Sequence, residues 1–188
     1  MHLARERQGG RGIKCGDRSG EGSTHDEYLE TAMKVRKATI EDLVELDTIY
    51  RRSIAELCAP DYDAEVIQAW KDSVSPEARI PSIEQGILWV AILGGSIAGY
   101  MVAVPGEIVA LFVSPDCAGK GVGRKLAELA LEIASNTESG EIVLESTLTA
   151  VPFYQKFGFS ERSRGFFSHG HSDIEIAVVN MAWVSKCS

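Results

Sequence analysis

The sequence predicts an α/β domain in which helices pack on a mixed sheet, and three patterns support that class. The first is an apolar strand, a glycine loop and a long amphipathic helix between residues 107 and 134. The second is a pair of apolar runs separated by Gly94 and Gly95, which is a strong β-hairpin signal. The third is a strand over 141–146, which forms a β-α-β unit with the strand and helix before it.

Composition limits the class of protein. The 188 residues are 45% hydrophobic, which is enough for one domain with a real core and a tail. The formal net charge of -8 and the pI near 5.1 argue against a broad nucleic-acid-binding face. No stretch reaches roughly 18 consecutive apolar residues, and the N-terminus lacks the apolar core of a signal peptide. We therefore expect a cytoplasmic protein that binds neither nucleic acid nor membrane.

Residues 1–32 are rich in Gly, Arg, Glu and Ser and lack apolar periodicity. This composition predicts a disordered leader, followed by one domain over 33–188.

Two helices are predicted ahead of the main sheet. A short strand over 34–37 precedes them, and the segment 39–42 has the spacing of a capping box for a helix that runs to about Cys58. A second helix carries the apolar positions of 66–70. The segment 75–86 contains two prolines and a glycine and is predicted to be a loop.

The other elements follow from apolar pattern. Strands are predicted over the β-branched and aromatic runs 87–93, 97–104, 107–113, 141–146, 159–166 and 174–184. Leu126, Leu129, Ala130, Ile133 and Ala134 recur at helical spacing after the glycine loop. A short helix is predicted over 149–157, and a polar loop over 167–173.

The glycine loop predicts a phosphate site. Gly119, Gly121 and Gly123 precede a helix N-terminus, where the first N–H groups lack intrahelical partners and carry the positive end of the helix dipole. Glycines let such groups turn toward one anion, and neighbouring basic residues add positive charge. Arg124 and Lys125 after the last glycine do not fit a Walker A loop, and Arg124 stands where a dinucleotide fingerprint needs glycine.

A second motif, over residues 150–159, makes the interpretation of the glycine loop more specific. Its Phe-Tyr pair before a Gly-Phe comprises Phe153, Tyr154, Gly158 and Phe159. Loop and motif together resemble the GNAT-type N-acetyltransferases over about residues 33–183. The loop departs from that family's pattern at Ala118, where relatives carry Gln or Arg. The resemblance implies a GNAT fold, with a mixed, mostly antiparallel sheet of about seven strands flanked by about four helices.

The resemblance also implies an activity. The chain is expected to be an enzyme that moves an acetyl group from acetyl-CoA to a primary amine of a small molecule by direct attack. The segment 53–70 has a weaker likeness to a small-molecule-type subgroup, which does not fix the acceptor. Two alternatives stay open, namely a CoA-binding module without transfer and a protein or peptide N-acetyltransferase. The oligomeric state is open too, a homodimer included.

The resemblance implies which residues bind acetyl-CoA. Its pyrophosphate is expected on the backbone N–H groups of Ala118, Gly119, Lys120, Gly121, Val122, Gly123 and Arg124. The pantetheine arm is expected to pair with the backbone of Leu111, Phe112 and Val113. A backbone N–H near Leu111 or Phe112 is then expected to stabilise the oxyanion of the thioester carbonyl.

Two side chains are candidate catalysts. Tyr154 occupies the family's tyrosine position and is the candidate general acid for the CoA thiolate, with a plain core aromatic as the alternative. Glu107 at the start of its strand is the candidate base, with a solvated surface carboxylate as the alternative. His169 and His171 lack a carboxylate or Cys partner, and the cysteines lack zinc or redox spacing, so no metal site is predicted.

Overall fold

The computed structural model describes residues 33–167 and 175–184. These residues form one seven-stranded sheet with the order β1-β2-β3-β4-β5-β7-β6. The strands are β1 (Lys34–Lys37), β2 (Leu88–Leu93), β3 (Ser96–Val104), β4 (Glu107–Val113), β5 (Glu141–Thr147), β6 (Ser160–Phe167) and β7 (Ile176–Val184). The predicted class and strand number are confirmed.

The sheet is mixed and mostly antiparallel, as expected. Strands β4 and β5 pair in parallel, while the other neighbouring strands pair antiparallel. The parallel pair follows from the long helix, which carries the chain from the end of β4 back to the start of β5. Gly94 and Gly95 form the turn between β2 and β3, both with positive φ.

The described residues contain five α-helices. They are α1 (Leu43–Arg52), α2 (Ala64–Asp72), α3 (Ile80–Glu84), α4 (Val122–Ala134) and α5 (Val151–Gln155). Among these described helices, none combines the length and the apolar character needed to cross a bilayer.

One early prediction was wrong in detail. The segment 75–86 is not a plain loop, because it contains a 3-10 turn, Pro76–Arg79, and helix α3. Pro81 stands in the first turn of α3, where a missing N–H breaks no intrahelical bond. The first helix runs to Leu57, close to the predicted end at Cys58, although its α-helical part ends at Arg52 and Ser53–Leu57 is π-helical.

The sheet separates two layers of helices. Helices α1, α2 and α3 cover one face, with a core that includes Leu46, Ile54, Trp70, Tyr100 and Val102. Helices α4 and α5 cover the other face, with a core that includes Met101, Leu126, Ala130, Ile142 and Met181. Both faces of the central strands are therefore buried, which explains why β3 is apolar along almost its whole length.

Gly99 sets the distance between α4 and the sheet. A Cβ at this position would lie 2.7 Å from the Phe112 carbonyl oxygen, 3.1 Å from Val122 Cγ1 and 3.2 Å from Leu126 Cδ1. The N-terminal turn of α4 thus rests against β3 at a point where no side chain fits. This contact holds the glycine loop beside the end of β4.

The substitution Gly99→Ala is expected to lower the free energy of unfolding by about 1–3 kcal/mol, because the new methyl group overpacks this contact. Urea denaturation measures the loss. Gly165→Ala on β6 is the matched control, since its nearest neighbour is Asn180 Nδ2 at 3.7 Å. A Gly99→Ala protein as stable as the Gly165→Ala protein would contradict the close contact.

Candidate active site

Strands β4 and β5 separate soon after they meet. They are paired at Glu107 and Val143, where the Val143 N–H donates to the Gly106 carbonyl oxygen over 2.9 Å. Beyond that point β5 continues along β7 as far as Thr147, and β4 continues along β3 as far as Val113. Within the described residues the register contains no second β4–β5 pair. A wedge-shaped gap therefore opens in the middle of the sheet, and we call it the wedge.

A β-bulge lies where the wedge begins. Val102 of β3 faces Ala110, but Ala103 faces Ile108, so Val109 is an extra residue in β4. A bulge of this kind bends its strand and shifts the alternation of side chains. Ile108 and Leu111, three residues apart, consequently both pack in the core beneath α4.

The bulge decides which backbone groups face the wedge. The Ser114 N–H donates to the Ala98 carbonyl oxygen over 2.8 Å. Alternate residues of an antiparallel ladder direct their N–H and C=O groups to the partner strand. Phe112 therefore bonds to β3, whereas Leu111 and Val113 direct their N–H and C=O groups into the wedge. Of the two predicted oxyanion donors, Leu111 is the one left free.

A cavity of about 650 Å³ lies between the wedge and the layer of α1, α2 and α3. Its wall includes four residues predicted from sequence, namely Glu107, Leu111, Phe112 and Tyr154. Aromatic side chains of the helix layer and of β3 form much of the opposite wall, and they include Tyr50, Trp70 and Tyr100. The cavity is therefore mainly apolar, with carboxylates of Glu107 and Glu145 on the sheet side.

Tyr154 reaches this cavity from α5. The residue is 7% exposed, and its ring packs edge-on against Phe153 and Phe159, with centroid distances of 5.1 and 5.8 Å. Its hydroxyl forms no hydrogen bond within 33–167 and 175–184. Burial raises the pKa of Tyr154, so the hydroxyl keeps its proton throughout the neutral range.

The glycine loop forms a tight turn ahead of α4. Gly119 and Gly121 have φ values of 76° and 86°. Residues other than glycine rarely adopt this left-handed backbone conformation. A Cβ at either position would meet no described atom within 4 Å. The space next to these two glycines is therefore open to an incoming group.

Two of the predicted phosphate-binding N–H groups are used inside the turn. The Ala118 N–H donates to the Pro115 carbonyl oxygen over 3.1 Å, and the Lys120 N–H donates to the Cys117 carbonyl oxygen over 3.2 Å. The remaining N–H groups have no acceptor among the described residues, and they belong to Gly119, Gly121, Val122, Gly123 and Arg124. Of the seven N–H groups predicted to bind phosphate, these five are therefore free to donate to an incoming group.

The loop, the end of β4 and α5 meet at Gly123. A Cβ on Gly123 would lie 3.5 Å from both Val113 Cγ2 and Phe153 Cε2. Val113 and the loop residues are not part of the cavity wall, so the predicted site has two connected parts. One is the N–H cluster at the start of α4, and the other is the cavity that contains Tyr154.

The end of β5 is held away from β4 by the segment after α1. The Tyr62 hydroxyl donates to the Ala177 carbonyl oxygen over 2.7 Å and accepts from the Leu148 N–H over 2.8 Å. Thr147 Oγ1 accepts from the Ala150 N–H over 3.2 Å. These bonds fix the chain where β5 turns into α5, and they keep the wedge open.

Sequence reasoning missed Arg79, a buried cation in the cavity wall. It is 7% exposed, its guanidinium lies 4.8 Å from the Tyr50 ring centroid, and its Nε–H donates to the Tyr100 hydroxyl over 3.4 Å. Its Nη1 lies 3.4 Å from Asp47 Oδ1, and its Nη2 is buried without a partner within the described residues. The prediction of a loop over 75–86 hid it, although an arginine between two apolar residues is a visible signal of partial burial.

The described ranges hold no cluster of three His, Cys, Asp or Glu side chains placed to bind a metal ion. His169, His171, Cys15 and Cys187 lie outside those ranges.

Glu107, the candidate base, is exposed at the first position of β4.

Comparison with known proteins agrees with this geometry. The family model described as an acetyltransferase (GNAT) domain matches residues 58–183. The chain is 32% identical to the peptidyl-lysine N-acetyltransferase YjaB of Salmonella typhimurium over 136 residues, which cover 70% of this chain and 86% of that protein.

Solved structures share the fold. The GCN5-related N-acetyltransferase structure from Rhodopseudomonas palustris superposes with a TM-score of 0.71 and 26% identity, covering 80% of this chain and 94% of that one. The PaiA N-acetyltransferase of Thermoplasma acidophilum, solved in complex with coenzyme A, has a TM-score of 0.64. Its 22% identity, over 81% of this chain and 99% of that one, supports the fold alone.

Proposed function

The chain belongs to the GNAT acetyltransferase family and is an acetyl-CoA-dependent N-acetyltransferase, and we propose that its acceptor is the primary amine of a small molecule bound in the cavity. The observation that carries the proposal is the cavity of about 650 Å³, whose wall includes Leu111 on one side and aromatic side chains on the other. A cavity of this size and apolar lining is typical of small-molecule sites.

The residues at the start of α4 fit a coenzyme with phosphate groups. Five N–H groups without described acceptors surround an open turn at the positive end of a 13-residue helix. Lys120, Arg124 and Lys125 add positive charge to an acidic protein. The backbone of Leu111 and Val113 can extend the sheet by pairing with the amides of the pantetheine arm.

Bound acetyl-CoA supplies an activated acetyl thioester. The Leu111 N–H is the proposed donor to the thioester carbonyl oxygen, where negative charge develops as the amine attacks. In comparable oxyanion holes, a preorganised donor of this kind lowers the activation free energy by about 3 kcal/mol. Because the donor belongs to the backbone, β4 needs no polar side chain at this position.

Tyr154 is the proposed general acid. Its hydroxyl is protonated, opens on the cavity and has no competing acceptor within the described residues. It can donate a hydrogen bond to the leaving sulfur and then transfer its proton. Direct attack requires a neutral amine, so a carboxylate must take the amine proton, and Glu107 on the cavity wall is proposed to take part in that transfer.

A second acceptor class follows from the relatives. The Salmonella protein is named a peptidyl-lysine N-acetyltransferase, so a lysine side chain that enters the cavity from a protein partner is the alternative. Thiol release from acetyl-CoA decides between the two. Small aromatic and aliphatic amines and a set of lysine peptides are compared by kcat/KM. Faster turnover of small amines supports the proposal, turnover of peptides alone supports the alternative, and CoA binding without acceptor-dependent thiol release identifies a binding module.

The substitution Gly121→Ala is expected to raise the Kd for acetyl-CoA at least about fivefold, because a side chain strains the φ of 86° that aims the N–H cluster. The kcat at saturating acetyl-CoA should stay near the wild-type value. Gly140→Ala is the matched control, since Gly140 also has a positive φ of 65° and open space, but lies between α4 and β5. Equal acetyl-CoA affinities of the two variants, by calorimetry, would contradict the assignment.

The substitution Tyr154→Phe is expected to lower kcat by about 10²-fold or more, because it removes the proton donor and leaves the buried ring in place. The Kd for acetyl-CoA, measured separately, should change less than about threefold, which is under 1 kcal/mol. An unchanged kcat would remove Tyr154 from the reaction.

A further inference from the structure

We propose that Glu145 is the carboxylate that binds the acceptor amine and takes its proton, and that Glu107 acts behind it as a relay to solvent. This inference rests on the proposed function, because it requires an amine in the cavity. It assigns a catalytic residue that neither the glycine loop nor the late Phe-Tyr motif indicates.

The strand register places Glu145 nearer the transfer point than Glu107. Glu107 is level with Val143 in the parallel pair, so Glu145 stands two residues, roughly 6.6 Å, farther toward the open end of the wedge. Leu111 stands four residues beyond Glu107, of which Val109 is the bulge, so its N–H is roughly 10 Å beyond Glu107. Along the strand direction Glu145 is therefore roughly 3 Å from the level of Leu111.

The side chain of Glu145 faces the cavity. Glu145 is paired with Asn180, and the next residue on the same face of β5 is Thr147, paired with Val178. Glu145, Thr147 and Val178 all belong to the cavity wall, while the alternate residues Ile142 and Leu144 are buried beneath α4. Glu145 therefore lines the same cavity as Leu111, in which the proposed acceptor amine is bound.

Glu145 is also free to act. The residue is exposed, and its side chain forms no hydrogen bond or ion pair within the described part of the chain. Glu141 on the same strand differs, because it accepts from Arg162 Nη2 over 3.0 Å. A carboxylate that is directed at a cavity and lacks a cation is suited to an incoming ammonium group.

The other charged and titratable groups on the described wall cannot replace it. They come from α1, the 3-10 turn, β3, β4 and α5, and they are Tyr50, Arg79, Tyr100, Glu107 and Tyr154. The tyrosines stay protonated because burial raises the pKa of each, that of Tyr100 to about 12. Arginine is a permanent cation, and Asn180, paired with Glu145, does not titrate. Within the described wall, the carboxylates of Glu107 and Glu145 are thus the proton acceptors.

The proton balance is complete with these groups. One proton of the ammonium moves to a Glu145 oxygen and on to Glu107 and solvent. The neutral nitrogen then forms the C–N bond to the acetyl carbon as the C–S bond breaks. Tyr154 protonates the leaving sulfur, and the second proton lost from nitrogen restores the Tyr154 hydroxyl. One proton is released for each ammonium acetylated.

The experiment compares Glu145→Gln, Glu145→Asp, Glu107→Gln and the control Glu141→Gln, using the best amine from the thiol-release panel. Glu145→Gln is expected to lower kcat/KM at neutral pH by about 10²-fold, and the deficit should shrink as the pH approaches the pKa of the amine. Glu145→Asp should recover part of the loss, Glu107→Gln should lose less than Glu145→Gln, and Glu141→Gln should match wild type. The Kd for acetyl-CoA should be the same in all four.

Four outcomes would overturn the proposal. A Glu145→Gln enzyme with the wild-type pH profile, or with a smaller loss than Glu107→Gln, refutes Glu145 while leaving the acetyltransferase intact. A deficit independent of pH identifies a structural role instead. Absence of thiol release with every amine and peptide in the wild-type protein refutes the proposed function, and the role of Glu145 with it.

Discussion

The site depends on the separation of β4 from β5 inside an otherwise continuous sheet. An unpaired N–H within a sheet is costly unless something satisfies it, so the wedge needs structural support. The bulge at Val109 turns the backbone of β4, and Tyr62 binds the backbone at Leu148 and Ala177, on the far side of β5. Gly99 lets α4 approach β3 closely enough to set the glycine loop beside the mouth of the wedge. If β4 and β5 stayed paired, Leu111 would bond to β5 and no free donor would remain.

The chemistry that this arrangement supports uses few side chains. The backbone supplies the hydrogen-bond donors for anions and the groups that extend the sheet. Tyr154 supplies one proton, and because burial raises its pKa, the hydroxyl holds that proton at neutral pH. Because the pKa of Tyr154 is raised, the phenol loses its proton only above its ordinary range and adds no titration near pH 7. The pH dependence of activity near neutrality is therefore expected from the amine and the cavity carboxylates. Asp47 offsets part of the charge of Arg79, and it also accepts from Arg51 Nε over 2.6 Å.

Local pattern predicted most of the fold. The strands of the central sheet, the Gly94–Gly95 hairpin and the β-α-β unit were visible because apolar period, turn glycines and helix spacing all agreed at those places. Helix α3 was missed because Pro76 and Pro81 resemble loop residues until the first-turn position of Pro81 is known. The glycine loop and Tyr154 were visible as motifs, whereas the cavity wall was not. The cavity wall brings together Arg79, Glu145 and Trp70. Strand register and helix packing place them there, and a short sequence motif does not indicate either.

The most direct test of the wedge is amide-resolved hydrogen exchange by NMR, with and without acetyl-CoA. The amides of Ala110 and Phe112 should be protected in both states, because they bond to β3. Those of Leu111 and Val113 should exchange rapidly in the free protein and become protected at saturating acetyl-CoA. Slow exchange of Leu111 in the free protein, or exchange of Leu111 and Val113 that acetyl-CoA leaves unchanged, would contradict the separation of β4 from β5 as the basis of the site.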